Sequence, residues 1–269
     1  MIEVRSLSYA YPHAPENALE NISVQVRSGE VVGIVGPNGS GKSTLGRLMK
    51  GLLLPSGGDV LVDGQDTRLH GLEVRRRVGV VFQNPNSQIV NAVVEHEVAF
   101  GMENLGMHTD QMHTRVGQAL EAVGLQGQET AECHSLSMAN KQRVAIASVM
   151  AMEPHYLILD EPTAWLEPSA RWPLLEEVMQ WCERRDVGLV LVTHRMDEAQ
   201  VCVRLYGMLD GRLEAVGSPD AVLGDTVIRN RLALEVPETL ELAGDLAAAG
   251  LPVSRGSSIE RLADALCLS

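Results

Sequence analysis

Short apolar runs in the first part of the chain predict β-strands. Four of these runs are bounded by turn residues and lie at positions 2–4, 22–26, 30–35 and 57–64, the last ending in an Asp-Gly pair typical of a tight turn. Three further runs are apolar without interruption and lie at positions 78–82, 156–159 and 189–193. Uninterrupted runs of this length are typical of strands that are covered on both faces.

The apolar spacing becomes helical between Gln83 and Pro154. Helices are predicted at positions 95–105, 114–123 and 137–152, and another at 42–50 directly after the third strand. We therefore predict an α/β fold, with a mixed sheet flanked by helices and a helical subdomain inserted at about 88–154.

The segment at 226–269 is predicted to be a small C-terminal helical extension. Pro237 opens a helix there, Gly250 closes it, and a capping box begins at Ser257. The apolar stripe that follows consists of Ile259, Leu262, Ala263 and Leu266. This stripe needs a partner surface, which is either the main body of the chain or another subunit.

Composition and net charge limit the classes of molecule that the chain is expected to bind. The 269 residues are 45% hydrophobic and carry a formal net charge of −13, with a pI near 5.0. This charge argues against a nucleic-acid binder that relies on a broad basic surface, and against electrostatic docking to anionic lipid. We therefore expect no nucleic-acid partner, and any membrane association is expected to go through protein.

No segment of the sequence indicates export or membrane insertion. The first residues enter strand-like sequence at once, and no apolar run approaches the ~18–20 residues that span a bilayer. The cysteines are Cys133, Cys182, Cys202 and Cys267, which form no paired spacing and read as reduced thiols. A soluble, cytosolic chain is the expectation.

A glycine-rich loop between the third strand and the helix that follows it matches the pattern that binds nucleotide phosphates. Its residues are Gly36, Pro37, Asn38, Gly39, Ser40, Gly41, Lys42, Ser43 and Thr44. Glycines let the backbone approach phosphate oxygens closely, and successive N–H groups with the helix N-terminus supply positive potential. Lys42 is expected to reach the β- and γ-phosphates, and the Ser43 hydroxyl to bind Mg²⁺.

Polar residues that follow three predicted strands supply the remaining chemistry. Asp160 ends one strand and is expected beside the metal, while Glu161 can orient an attacking water. Gln83 follows a second strand and can coordinate Mg²⁺ or the water, and His194 follows a third as a γ-phosphate contact. Each residue alone fits an ordinary structural role, but together with the phosphate loop they indicate phosphoryl transfer.

Taken in order, these motifs and the Leu136-Ser137 pair resemble the ATPase subunit of ATP-binding cassette (ABC) transporters. The resemblance covers residues 1–225 and implies a P-loop NTPase core that binds ATP and Mg²⁺. It also implies that Tyr11 stacks on adenine. The alternative is that Tyr11 is a structural residue packed at the end of a strand. In this family two ATPases enclose two nucleotides, and each site combines one subunit's phosphate loop with the other's signature helix.

Finer features resemble the ATPases of energy-coupling factor importers, which include vitamin and cobalt or nickel systems. They lie at 81–88 and 97–106, and the tail at 232–240 resembles the C-terminal extension of that group. The resemblance implies a second ATPase subunit, a transmembrane coupling subunit and a substrate-binding membrane subunit. It places the chain at the cytoplasmic face of the cell membrane, peripherally, with the segment after Gln83 lining the groove for the coupling subunit.

The signature motif departs from the Leu-Ser-Gly-Gly-Gln of the family. It consists here of Leu136, Ser137, Met138, Ala139 and Asn140. Ser137 still fits a helix N-cap, but Met138 stands where glycine lets the backbone approach phosphate. The loop after Glu161 departs too: Glu167 replaces aspartate, and Trp165 is bulky. Trp165, like Trp172 and Trp181, is expected at an interface or in the core.

Both departures lie in parts that a subunit lends to its partner's nucleotide, so we expect a heterodimer with unequal sites. The site built on Lys42 and Glu161 is expected to hydrolyse ATP, and the site that receives Met138 to turn over slowly. The alternative is tolerated variation with two active sites. Two other functions stay open: a low-turnover nucleotide-binding subunit and, less favoured, a soluble ABC ATPase of DNA repair or translation.

Overall fold

The computed structural model describes residues 1–234, 242, 245 and 246. The strands in this part of the chain are β1 (Ile2–Tyr9), β2 (Leu19–Val26), β3 (Val31–Val35), β4 (Gly57–Val62), β5 (Gln65–Asp66), β6 (Val78–Val81), β7 (Tyr156–Asp160), β8 (Gly188–Val192), β9 (Arg204–Leu209) and β10 (Arg212–Gly217). The α-helices are α1 (Lys42–Met49), α2 (Gly71–Arg77), α3 (Val94–Asn104), α4 (Thr109–Ala122), α5 (Met138–Ala151), α6 (Pro168–Arg184), α7 (Met196–Ala199), α8 (Pro219–Gly224) and α9 (Thr226–Arg231).

The central sheet has six strands in the order β10-β9-β3-β8-β7-β6. Neighbouring strands from β9 to β6 run parallel, and only β10 is antiparallel to its neighbour, so the sheet is mixed. Because β6, β7 and β8 are parallel neighbours, their carboxyl ends share one edge of the sheet. The predicted α/β fold with a mixed sheet is confirmed.

The two faces of this sheet are buried against different layers. Alternate residues of β3 and β8, among them Ile34 and Val190, pack with α1 and with a second, antiparallel sheet of order β2-β1-β4-β5. The intervening residues, among them Val35 and Leu191, pack with α5 and α6. Burial on both faces explains why the sequence of these strands is apolar without interruption.

The helices α3, α4 and α5 pack on one another and lie within the predicted insertion at 88–154. Val98, Leu120 and Ile146 contribute one buried side chain each from these three helices to the same apolar cluster. None of the helices in the described residues is both long and apolar enough to cross a bilayer. The described cysteines, Cys133, Cys182 and Cys202, are buried and free.

All seven predicted strands and the four helices predicted between positions 42 and 152 are present, with ends that differ by a few residues. The helix expected to begin at position 114 begins at Thr109, because its first turn carries little apolar signal. Trp181 is in the core at 5% exposure, whereas Trp165 and Trp172 are 45% and 46% exposed. The helices predicted around Pro237 and Ser257 lie outside the described residues.

Candidate active site

The phosphate loop connects β3 to α1 and depends on glycine for its shape. Gly36 and Gly41 have φ angles of 143° and 98°, a region that other residues rarely adopt. A side chain at Gly36 is also excluded by space, since its Cβ would lie 2.1 Å from the carbonyl oxygen of Met208. The loop leads directly into the N-terminus of α1, and a helix N-terminus attracts anions.

Lys42 lies over this loop as its first helical residue. Its ammonium donates hydrogen bonds to the carbonyl oxygens of Gly36 and Pro37, both at 2.8 Å. Burial lowers the pKa of Lys42, and the carboxylates of Glu161 and Asp160 oppose that shift. Both opposing carboxylates come from the end of β7, so the structure brings the loop and the acidic pair together.

Ser43 and Asp160 bring two side-chain oxygens together beside the phosphate loop. Asp160 ends β7 as a buried residue and accepts a hydrogen bond from the Ser43 hydroxyl. Burial raises the pKa of Asp160, although the Ser43 hydrogen bond works against the rise. No cluster of three His, Cys, Asp or Glu side chains suited to a metal occurs among the described residues. This donor set fits Mg²⁺, which typically takes one or two carboxylates and completes its shell with phosphates and water.

Glu161 is held at the edge where three strands end. Its backbone has a φ of 50°, and its N–H donates to the carbonyl oxygen of Val192 at the end of β8 (2.8 Å). One carboxylate oxygen accepts a hydrogen bond of 2.6 Å from the Gln83 amide, and the other lies 3.1 Å from Nδ1 of His194. The three residues predicted from separate strands thus meet at one carboxylate, and the left-handed backbone of Glu161 is a strained conformation of the kind found at functional sites.

A small cavity adjoins this carboxylate. It has a volume of about 110 Å³ and is lined by Glu161, His194 and the neighbouring Thr193. A cavity that holds one water needs only ~10–15 Å³, so this space admits several waters beside polar partners. None of the residues that line the cavity belongs to the phosphate loop, so the cavity does not by itself mark the position of an attacking water.

Tyr11 reaches the phosphate loop from the turn after β1. Its hydroxyl lies 3.0 Å from Oγ1 of Thr44, and its ring packs edge-on against Tyr9 with centroids 5.0 Å apart. The side chain is 37% exposed. A partly exposed aromatic ring beside the loop leaves a face on which a base can stack.

The signature residues form the start of α5. Ser137 is the N-cap, and its hydroxyl accepts a hydrogen bond of 3.2 Å from the N–H of Asn140. Met138 is half-buried, and its sulfur lies 3.3 Å from the side-chain amide of Asn86. Ala139 follows as a half-buried residue of the same helical turn. In the described residues, none of these hydrogen bonds reaches the phosphate loop of the same chain.

Comparisons with known proteins agree with this geometry. Residues 19–164 match the ABC transporter family. The chain is 45% identical to the energy-coupling factor transporter ATP-binding protein EcfA1 of Symbiobacterium thermophilum, over 99% of this chain and 96% of that protein. It is 38% identical to the EcfA1 protein of Clostridium novyi, over 99% and 98%. The chain belongs to the ABC transporter ATPases, in the energy-coupling factor group.

Solved structures agree with the ABC transporter family. The structure of cbiO1 from Clostridium perfringens, described as part of the ABC transporter complex cbiONQ, has a TM-score of 0.75 and 34% identity, covering 88% of this chain and 95% of that one. The ABC cassette MJ0796, solved as a dimer in a post-hydrolysis state with ADP and phosphate, also has a TM-score of 0.75, at 26% identity over 81% and 99%. This ABC chain is an ATPase.

Two residues near the ABC site were not anticipated as functional. The indole N–H of Trp165 donates a hydrogen bond of 2.8 Å to the backbone carbonyl of Gln83. Glu198, buried at 3% exposure, accepts hydrogen bonds from the hydroxyls of Thr163 and Thr193. These threonines flank Glu161 and His194, so Glu198 ties together the two loops that carry them. The sequence alone gives no signal for this role of Glu198, because an acidic residue in the first turn of a helix is common at exposed positions.

Proposed function

We propose that this ABC chain is the ATP-hydrolysing subunit of an energy-coupling factor importer, for a vitamin or a transition-metal ion. The observation that supports this most directly is the Glu161 carboxylate, held by Gln83 and His194 beside the phosphate loop. The relatives named EcfA1 support the transporter type. Specificity for the transported substrate is then a property of the membrane subunits.

In the proposed reaction each residue of the chain has a separate task. Lys42 exchanges its loop carbonyls for phosphate oxygens, and Ser43 and Asp160 hold Mg²⁺, with Gln83 nearby. Mg²⁺ held by these residues would supply positive charge against the negative charge that develops during phosphoryl transfer. Glu161 orients a water and accepts its proton as the water oxygen bonds to the γ-phosphorus and the bond to the β-phosphate oxygen breaks. His194 holds the Glu161 carboxylate and contacts the γ-phosphate.

Adenine is proposed to stack on Tyr11. The tyrosine ring is positioned by its packing on Tyr9, and its hydroxyl contacts Thr44 at the end of the phosphate loop. The partly exposed ring provides apolar surface next to the polar phosphate cradle, which suits a nucleotide base.

The working unit is proposed to be a dimer of ATPases. Of the possible dimers, we favour a heterodimer whose two nucleotide sites are unequal. The residues around the chain's own phosphate loop are complete, while the signature carries Met138 where the family has glycine. The thioether lies against Asn86 of the same chain, so it occupies space at the start of α5. This start still has a capped helix with free N–H groups, so the site that receives it is expected to bind ATP but hydrolyse it slowly.

We place the assembly at the cytoplasmic face of the cell membrane, with this chain peripheral. Its membrane partners are a coupling subunit and a substrate-binding subunit, and contact with them is expected in the region after Gln83. Met138 favours one other function for the chain, a nucleotide-binding subunit with little turnover of its own. The paired Glu161 and His194 argue for hydrolysis at the chain's own site.

The decisive experiment measures ATPase activity of this chain alone and in the complex purified from membranes with every subunit identified. We expect low turnover alone and higher turnover in the complex, lost when Glu161→Gln is introduced. A complex in which Glu161→Gln leaves turnover unchanged would assign this chain to the low-turnover class. Purification without membrane subunits would contradict the transport function.

A further inference from the structure

Trp165 lies in the loop after Glu161 and contacts a segment far away in the sequence. Its indole N–H donates to the carbonyl oxygen of Gln83 at 2.8 Å, across 82 positions of the chain. The side chain is half-exposed, at 45%. Its main specific contact is therefore a hydrogen bond to the backbone of a residue that itself contacts the Glu161 carboxylate.

The segment that carries Gln83 is held at consecutive backbone positions. The N–H of Phe82 donates to the Gln88 side chain at 3.0 Å, and the Gln142 amide lies 3.5 Å from the Phe82 carbonyl. Trp165 supplies the next attachment, at the Gln83 carbonyl. From this fixed backbone the Gln83 amide reaches Glu161 at 2.6 Å. A hydrogen-bonded path thus runs from the Trp165 indole through Gln83 to the carboxylate.

We propose that Trp165 is a positioning residue for ATP hydrolysis, which fixes the Gln83 backbone and thereby aims the Gln83 amide at Glu161. The proposal rests on the proposed function, in which Glu161 orients the attacking water. Trp165 touches neither the nucleotide loop nor the Glu161 carboxylate through a hydrogen bond in the described structure. Its effect is therefore on the geometry of the reacting step, not on the grip on ATP.

Apolar packing is a weaker explanation for a tryptophan at this position. Trp172, on α6, has nearly the same exposure at 46%, whereas Trp181 is a core residue at 5%. Trp165 and Trp172 therefore bury similar fractions of their side chains, and Trp165 differs by its N–H bond to Gln83. Trp172 is thus the matched control for the loss of a half-exposed indole.

The test introduces Trp165→Phe and, separately, Trp172→Phe into the assembled transporter complex. We expect Trp165→Phe to lower kcat about tenfold, the upper range for loss of one hydrogen bond, with KM for ATP within about twofold of the wild type. Trp172→Phe is expected to leave both constants unchanged. Replacing Trp165 by benzothienylalanine, in which sulfur takes the place of the N–H, keeps the ring shape and is expected to lower kcat as Trp165→Phe does.

A double-variant cycle identifies the path. If Trp165 acts through Gln83, adding Trp165→Phe to a Gln83→Ala complex is expected to have no further effect on kcat. Wild-type kcat with benzothienylalanine, or full additivity of the two substitutions, would overturn the proposal, because shape or a partner contact would then be the cause. A separate Glu161→Gln complex tests the proposed function: loss of turnover there, together with either of those results, leaves the function standing and removes only the role of Trp165.

Discussion

The surroundings of Glu161 and the start of α5 differ in how their polar groups are paired. At Glu161, both carboxylate oxygens have partners from the same chain, Gln83 and His194. At the start of α5, the exposed Ser137 satisfies only the helix cap, and Met138 lies against Asn86. The first region is fixed by contacts within the chain, and the second leaves the N-terminus of α5 exposed to solvent.

This difference indicates that the two regions of this ABC subunit restrict the choice of amino acids to different degrees. The region around Glu161 must position several groups within hydrogen-bond distance of one reacting centre, and its residues fit the family pattern. The start of α5 contributes N–H groups and a helix dipole, which depend on the backbone more than on side chains. We infer that the second region tolerates substitution such as Met138 at a cost in rate, with the helix retained.

The largest expected effect comes from removing the proposed base, Glu161, in the first region. Glu161→Gln keeps the size of the side chain, but its amide replaces one acceptor oxygen by a donor and cannot accept a proton, so turnover of the site on Lys42 should fall about 10²–10³-fold. ATP binding, measured by calorimetry, should persist, because the phosphate loop is unchanged. Loss of binding would instead show that Glu161 holds the loop in shape.

The second region can be tested in that same background. With Glu161→Gln in place, residual turnover comes from the site that receives this chain's signature. Changing Met138→Gly, Ala139→Gly and Asn140→Gln together should raise the residual rate about tenfold, as preorganised donors regain their approach to phosphate. An unchanged rate would remove the argument for unequal sites, and single-turnover assays of the complex provide the measurement.

The hydrogen bonds around Asp63 lie away from both regions, and we expect them to affect the stability of the fold but not the turnover of ATP. Burial acts to raise the pKa of Asp63, but hydrogen bonds from the N-terminal amine, Tyr156 and His155 lower it to about 2. Because the folded pKa lies below the ordinary value of 3.8, this carboxylate stabilises the fold above about pH 4 and loses that contribution as the pH falls through about 2.

Asp63→Asn should therefore lower the free energy of unfolding at pH 7 by about 1.5 kcal/mol, after discounting for solvent screening. Asparagine tolerates the φ of 50° at this position, so backbone strain is not added. Urea titrations at pH 7 and pH 2.5 should show the difference between variant and wild type shrinking at the lower pH. Turnover of the complex below the melting temperature should not change.

The smallest expected effect compares two helix caps. Ser137 accepts from Asn140 at 3.2 Å, and Ser218 caps α8 by accepting from Ala221 at 3.3 Å. Alanine at either position should cost about 1 kcal/mol of unfolding free energy. Only Ser137→Ala should also slow the site that receives α5, measured in the Glu161→Gln background. Equal turnover in the two variants would mean that the cap at Ser137 serves the fold alone.

Much of the central sheet could be predicted because its strands are buried on both faces and have an unmistakable apolar run. The hairpin of β9 and β10 was missed although Asp210-Gly211 carries the same turn signal as Asp63-Gly64. Helix α6 was missed as well: Leu174, Val178 and Trp181 have helical spacing, but Pro173 lies inside the helix and weakens the pattern.

The candidate site was predictable where a motif carries its own local geometry, as in the phosphate loop. The bond from Trp165 to Gln83 was not, because it joins residues 82 positions apart and depends on how β6 and β7 lie side by side. The same holds for Glu198, whose partners Thr163 and Thr193 come together only when β7 and β8 pair. Contacts of this kind depend on which strands lie side by side in the sheet. Residue patterns along the sequence do not show that arrangement.

The two carbonyl contacts of Lys42 have a consequence for the pace of the transport cycle. Since its ammonium already has acceptors at 2.8 Å from Gly36 and Pro37, an arriving nucleotide replaces existing bonds and gains only the difference in their strength. Departing ADP likewise leaves a lysine that returns to ready acceptors without an unsatisfied charge. A small net gain in binding free energy at this lysine favours fast exchange of ADP for ATP. A transporter needs such exchange after each round of hydrolysis.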